Sequence, residues 1–378
     1  MNNKEGQAKE DVSPFRWIPR QRDGESFSLH FTGGVRAACI KGDQWVLEPV
    51  LVQGRPASNG SFTRSELGRL ARSMGLTPIA FQHSGWNRGA YYNNWVPITP
   101  GQSNHMLGAA DLWRNIASRL GATRKGSRLN ALGSPTHDEV ATILDDQSPD
   151  ERLAQFMALS LRGLDISVEE IAAFYHDQLV DLMAAGQLNG ERVSGTLDQL
   201  LFAHVHSFFL HAGAARDYLA SFIAYRLGED PTRVDSFALL CKRLRSRHMG
   251  SDRLLDILAA EGLILESNQK GHWESGGWIK ELGDLRNTFT HRRPYGSRFS
   301  EQAGWAVPLS PNGQLFRYRR SLLSDNGDDV FDLIVRQYRL IIELFYRLAK
   351  ASGFDDSISV ITDEDIIEFR KDADPISS

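Results

Sequence analysis

The segment Asp284-Leu285-Arg286-Asn287-Thr288-Phe289-Thr290-His291-Arg292 gathers three side chains suited to phosphodiester chemistry. Arginine carries a permanent planar cation that fits a phosphate through two parallel hydrogen bonds. Histidine is the side chain that ordinarily titrates near neutral pH, so His291 can take or give a proton in a reaction step. Such a group can cleave RNA with no metal or other cofactor. His291 would act as general base on a ribose 2′-OH or as general acid toward the departing 5′-oxygen. Arg286 would stabilise charge on the scissile phosphate, and Asn287 would orient His291 or the phosphate. Arg292 and Arg293 extend the positive patch, and Arg298 adds to it.

These side chains need an element to present them. The residues before them read as a helix over 276–292, which Pro294 stops. In a straight α-helix, residues five apart sit about 140° apart around the axis. Asn287 and His291 share a face, whereas Arg286 and His291 do not. Convergence then requires a long arginine arm, a distortion before Pro294, or a second copy of the chain.

Spacing alone identifies little. Arg243-Leu244-Arg245-Ser246-Arg247-His248 has the same Arg-x4-His spacing. It lacks a polar residue after the first arginine and lies in a basic run with Lys242. Arg243 and Arg247 there read as a solvated or RNA-contacting cationic face. For Arg286 and His291 the structural alternative is a helix-end histidine near the carbonyl dipole, with Arg286 paired to Asp284 or Glu281.

Along the chain, residues 1–13 read as a disordered lead-in and 14–125 as a small α+β domain of unknown role. A strand meander runs from Ser26 to Gln53, followed by a helix from Thr63 to Met74 whose Thr63 and Glu66 have capping-box spacing. Strands and loops cover 77–101, and an amphipathic helix runs from His105 to Leu120. After a polar loop, Arg124–Arg128, a helical connector over 126–195 holds helices from Ser134-Pro135-Thr136 to Asp145, at 149–161 and at 167–185. Residues 196–354 read as helices at 196–227, 235–247, 251–262 and 276–292, an extended segment at 294–326 and a long helix from Asp328 to Ser352. The tail is 355–378. The fold class expected is therefore mainly α: a C-terminal antiparallel helical bundle preceded by a small α+β domain.

Residues 196–352 resemble HEPN domains, through Arg286-Asn287-x3-His291 near the end of the penultimate helix and His211-Ala-Gly-Ala-Ala-Arg-Asp-Tyr-Leu-Ala220 on the first long one. The resemblance implies a metal-independent ribonuclease, commonly a homodimer whose motifs meet in one cleft. It implies that Asp217 faces the motif, where it would fix the imidazole tautomer. Cleavage would leave a 2′,3′-cyclic phosphate and a 5′-hydroxyl. Family members in prokaryotes often act as toxins or phage-defence effectors, which implies RNA as partner and an antitoxin or defence-system partner beside it.

Composition sets bounds on this. The chain has 378 residues, 41% hydrophobic and 24% charged, with net charge −4. No global basic field favours nucleic acid, so RNA binding has to rest on a local patch. Two distant cysteines, Cys39 and Cys241, make neither a disulfide framework nor a zinc ribbon and suit a reducing cytoplasm. No apolar run or signal-peptide core points to a membrane or to export. His204, His206 and His211 lack the i,i+4 pair that zinc favours and read as core or surface residues. Trp86–Trp95 reads as a hairpin with aromatic cross-strand pairs, or as a base-stacking face. Nucleotide-binding glycine loops and the G-x-S-x-G and H-E-x-x-H motifs are absent. The competing function is a non-catalytic dimeric scaffold. It predicts Arg286 and His291 locked in a buried salt-bridge network, where a nuclease would expose them.

Overall fold

A computed structural model of the chain describes residues 25–87, 90–102, 106–309, 313–322 and 329–357. The expected lead-in and the tail from 358 lie outside these residues. The strands are β1 (Ser26–Phe31), β2 (Arg36–Lys41), β3 (Gln44–Val52), β4 (Arg55–Phe62), β5 (Pro78–Asn87), β6 (Ala90–Pro97), β7 (Ile264–Glu266), β8 (Trp273–Ser275), β9 (Gly304–Pro308) and β10 (Phe316–Arg320). The helices are α1 (Arg64–Ser73), α2 (Ala109–Leu132), α3 (His137–Asp145), α4 (Pro149–Ala184), α5 (Asp198–Arg226), α6 (Phe237–Arg243), α7 (Arg253–Ala260), α8 (Gly277–Asn287) and α9 (Val330–Ala351).

The expectation of a mainly α chain ending in a helical bundle is overturned. The structure is mixed, 54% helix and 20% strand, with a six-stranded antiparallel sheet at its N-terminal end. Two causes are visible. In residues 26–97, β4 extends the meander, and the strands expected over 77–101, β5 and β6, join the same sheet. Between the long helices α5 and α9, the described residues form only short helices, a β7–β8 ribbon and a β9–β10 hairpin. Such short pieces do not make the parallel rods of a bundle.

Two compact units interleave along the sequence. The first comprises Met1–Met106, Glu169–Leu201 and Arg298–Val335; the second comprises Leu107–Val168, Phe202–Ser297 and Arg336–Ser378. In the first unit the sheet order is β4-β3-β2-β1-β5-β6. The meander read from Ser26 to Gln53 is β1–β3. β4, with the sequence RPASNGSF, has little strand propensity and occupies the edge, where Pro56 can do without a ladder N–H. α1 has the expected capping box: Thr63 Oγ1 accepts from the Glu66 N–H at 3.3 Å, and Glu66 Oε2 accepts from the Thr63 N–H at 2.8 Å. Its Leu67 and Ala71 are buried. In β5 and β6, Trp86 pairs with Tyr91 and their rings meet edge-on at 5.5 Å, which is the hairpin reading of the aromatic stretch.

The second unit is built around Trp113, whose indole N–H donates to the Phe345 carbonyl at 3.0 Å and whose ring meets Phe222 at 5.4 Å. In the part of α9 that belongs to this unit, Tyr338, Ile341, Ile342, Phe345 and Leu348 recur at helical spacing and are buried. Two local expectations fail here. The polar stretch Arg124–Arg128 is not a loop; α2 runs through it to Leu132. Its cations pair along the helix flank, Arg124 with Asp146 at 2.8 Å, Lys125 with Glu151 and Arg128 with Asp146, so charge that looks like a loop is a helix face. Nor does the chain break near Gly163: α4 is one helix of 36 residues. Gly163 lies against the His211 ring, where a Cβ would come within 2.6 Å of the imidazole, so the glycine serves close packing.

Candidate active site

The expected helix over 276–292 is two structures in succession. α8 ends at Asn287, and Thr288–Arg292 form a π-turn, with the Arg293 N–H donating to the Thr288 carbonyl at 2.7 Å. The local sequence explains the change. Thr288 and Thr290 donate their hydroxyls to the carbonyls of Asp284 and Arg286, at 2.9 and 2.7 Å. Hydroxyl back-bonding of this kind competes with the helix ladder, and Pro294 provides no N–H to continue it. A turn closed by i→i+5 bonds holds more residues than an α turn, so residues five apart come nearer to one face. A distortion before Pro294 is thus present between Arg286 and His291.

Arg286 is half-buried and lies across Gly213 of α5; a Cβ on Gly213 would stand 2.5 Å from Arg286 Nε. That nitrogen is buried without a hydrogen-bond partner. Arg286 Nη1 reaches Asp217 Oδ2 at 3.7 Å. The Asp217 carboxylate is shared: its Oδ1 accepts from Arg216 Nε and Nη2, at 3.1 and 3.0 Å, and from the Phe237 N–H at 3.3 Å. Asp284 instead pairs with Lys280 at 3.0 Å, and Glu281 with Arg336 at 2.6 Å, so neither is the partner of Arg286. The acidic residue on the first long helix does sit opposite the motif. Its partners, however, are two guanidiniums and a backbone N–H, and the imidazole is not among them.

His291 is exposed, and among the described residues no hydrogen bond or ion pair engages its ring. Asn287 and Arg292 are likewise exposed, and Arg293 is half-buried. Phe289 anchors the turn from beneath: it is buried, stacks on Phe209 at 4.7 Å and meets Tyr295 at 6.3 Å. The buried aromatic and the exposed histidine thus face opposite ways on a turn of five residues. Arg298 is exposed and belongs to the first unit.

The second Arg-x4-His match has a different environment. His248 is buried in a 3-10 turn, its Nδ1 accepting from the Arg245 N–H at 3.2 Å and its Nε2 lying 3.2 Å from Arg247 Nε. Burial, and after it the Arg247 charge, holds this imidazole below the ordinary histidine range. Arg243 pairs with Glu229 at 3.6 Å, and Arg247 is exposed. Burial also lowers His206 and His211, and among the described residues no three His, Cys, Asp or Glu side chains gather as a metal would need. Both cysteines are buried, and burial pushes the Cys241 thiol up to about 12, far from a nucleophilic thiolate.

The sequence allowed for a distortion before Pro294 but did not give its form, and in the His211–Ala220 segment it gave no role to Gly213 or Arg216. The two threonines at 288 and 290 were the signal for the first; nothing local signals the other two, because they act across helices. Among the described residues, no helix is long and apolar enough to cross a membrane. Compared with protein-family models, curated proteins and solved structures, the chain matches none.

Proposed function

We propose that the protein is a metal-independent endoribonuclease that uses Arg286 and His291. The observation that carries this reading is the pairing of an exposed, unengaged imidazole with an arginine anchored five residues before it, joined by a π-turn. A turn of this kind is rare and is found frequently at functional sites. His291 takes the proton of a 2′-OH, and the oxygen then attacks the adjacent phosphorus. The 5′-oxygen leaves with a proton from solvent or from the imidazolium, giving a 2′,3′-cyclic phosphate and a 5′-hydroxyl. Arg286 stabilises the charge that builds on the phosphate, Asn287 and Arg292 contact the same strand, and Asp217 positions Arg286. Arg243, Arg247 and Arg293 are the further cations assigned to RNA. A cytoplasmic toxin or phage-defence effector acting as a homodimer is the role that the HEPN resemblance of the motif carries.

The test is incubation of the purified chain with total RNA in EDTA, wild type beside Arg286→Ala and His291→Ala, with the product ends mapped. Cyclic phosphate ends from wild type, and a loss of about a hundredfold or more in either variant, are expected. Unchanged cleavage in His291→Ala would sink the mechanism.

The second reading, a non-catalytic scaffold, is favoured by one observation: Arg286 is part of a charge network with Asp217 and Arg216. It predicts RNA-independent self-association and no cleavage in the same assay.

A further inference from the structure

Asp217 also lines a cavity of about 400 Å³ together with Arg152, Phe156, Tyr218, Thr232 and Asp235. That volume falls in the range of small-ligand sites, roughly 300–1,000 Å³. All of these residues belong to the second unit. The Phe156 and Tyr218 rings lie 5.1 Å apart, tilted by 47°, and both are partly exposed. Asp235 and Arg152 are exposed, and among the described residues no hydrogen bond or ion pair engages either side chain. The cavity therefore combines two aromatic rings, one available carboxylate and one available guanidinium. It abuts the carboxylate that holds Arg286.

We infer that this cavity is a base-binding subsite of the proposed active site, and that it takes guanine from an unpaired nucleotide whose phosphate lies toward Arg286. The inference rests on the ribonuclease reading. Aromatic rings stack on any base, so Phe156 and Tyr218 supply affinity without selection. Selection comes from the two charged groups. The Watson–Crick edge of guanine presents two adjacent donors, N1–H and the N2 amino group, which match the two oxygens of a carboxylate, here Asp235. Its O6 acceptor is left for a guanidinium, here Arg152. Adenine and cytosine would turn a ring-nitrogen acceptor toward the carboxylate, and uracil offers it a single donor. A site built on hydrogen bonds rejects a base that leaves its polar groups unmatched.

The experiment measures binding of guanosine 3′-monophosphate and adenosine 3′-monophosphate to the full chain by calorimetry, for wild type, Asp235→Asn and His291→Ala. Wild type should prefer the guanine nucleotide by about tenfold or more. Asp235→Asn should lose that preference, since the amide faces the guanine donors with an NH2 group, and His291→Ala should keep it. No preference in wild type, or one that survives Asp235→Asn, overturns the inference. Cleavage in EDTA is read separately. RNA cut without regard to guanine defeats the base subsite and leaves the nuclease standing. A guanine preference with no cleavage defeats the nuclease and leaves a nucleotide-binding site.

Discussion

Gly213 and Arg286 meet side on: the arginine arm lies where a Cβ of residue 213 would be, 2.5 Å from its Nε, and this path takes its guanidinium to Asp217. The glycine is in the middle of α5, where its conformational freedom is a disadvantage, so its presence fits the need for space. A helix-centre glycine and a motif arginine 73 positions later are thereby parts of one device.

Gly213→Ala should separate helix stability from site geometry. Alanine raises helix propensity by up to about 1 kcal/mol, which offsets the strain of the added methyl group. The contact is with the middle of the arginine chain, so Arg286 has to leave its path rather than bend at its tip. The expected outcome is a melting temperature near that of wild type, with cleavage reduced about tenfold, equivalent to about 1.4 kcal/mol of lost transition-state stabilisation. Calorimetry and the RNA assay on the same preparation check it.

Asp217 should behave as a positioning residue for Arg286. Asp217→Ala leaves Arg216 and Arg286 without their shared anion and Phe237 without its acceptor, a loss of about 1–3 kcal/mol in stability. Asp217→Asn, which keeps an acceptor oxygen, should lose less. Because the carboxylate contacts arginines and not the imidazole, the position of the pH profile of kcat/KM should not move in Asp217→Asn although its height falls. A shifted profile would return Asp217 to the role of tautomer anchor. Urea titration and initial rates across the pH range measure both quantities.

The first unit should be acid-sensitive through His30. Its ring is buried, lies 2.9 Å from Gln82 Oε1 and is held at about 4, below the ordinary 6.5, chiefly by burial. Above 6.5 both folded and unfolded chains carry it neutral, and its full contribution is present. As the pH falls below 6.5, the unfolded chain protonates first and stability declines, until the folded group protonates too near 4. The interval corresponds to about 3 kcal/mol at most. His83 and His176 are lowered mainly by burial as well and act with the same sign. Urea midpoints at about pH 7.5 and about pH 5 should differ, and His30→Gln should narrow that difference.

What the sequence determined alone was local. The Thr63–Glu66 box and the helix start at Thr136 are both present, because caps depend on neighbours within a few residues. The Arg286–His291 motif was legible on the same terms. Tertiary structure decided what depends on contacts between distant residues. It made Arg124–Arg128 a helix face through Asp146 and Glu151, fused α4 across Gly163, and recruited the weak strand β4 to a sheet edge. It also interleaved two units that a linear reading lays end to end. It gave two matches of equal spacing different surroundings, burying His248 beside Arg245 and Arg247 and leaving His291 exposed on a π-turn over Phe289. The reason is physical: spacing places a side chain on its own element, whereas burial and partnership are set by whatever other element arrives beside it.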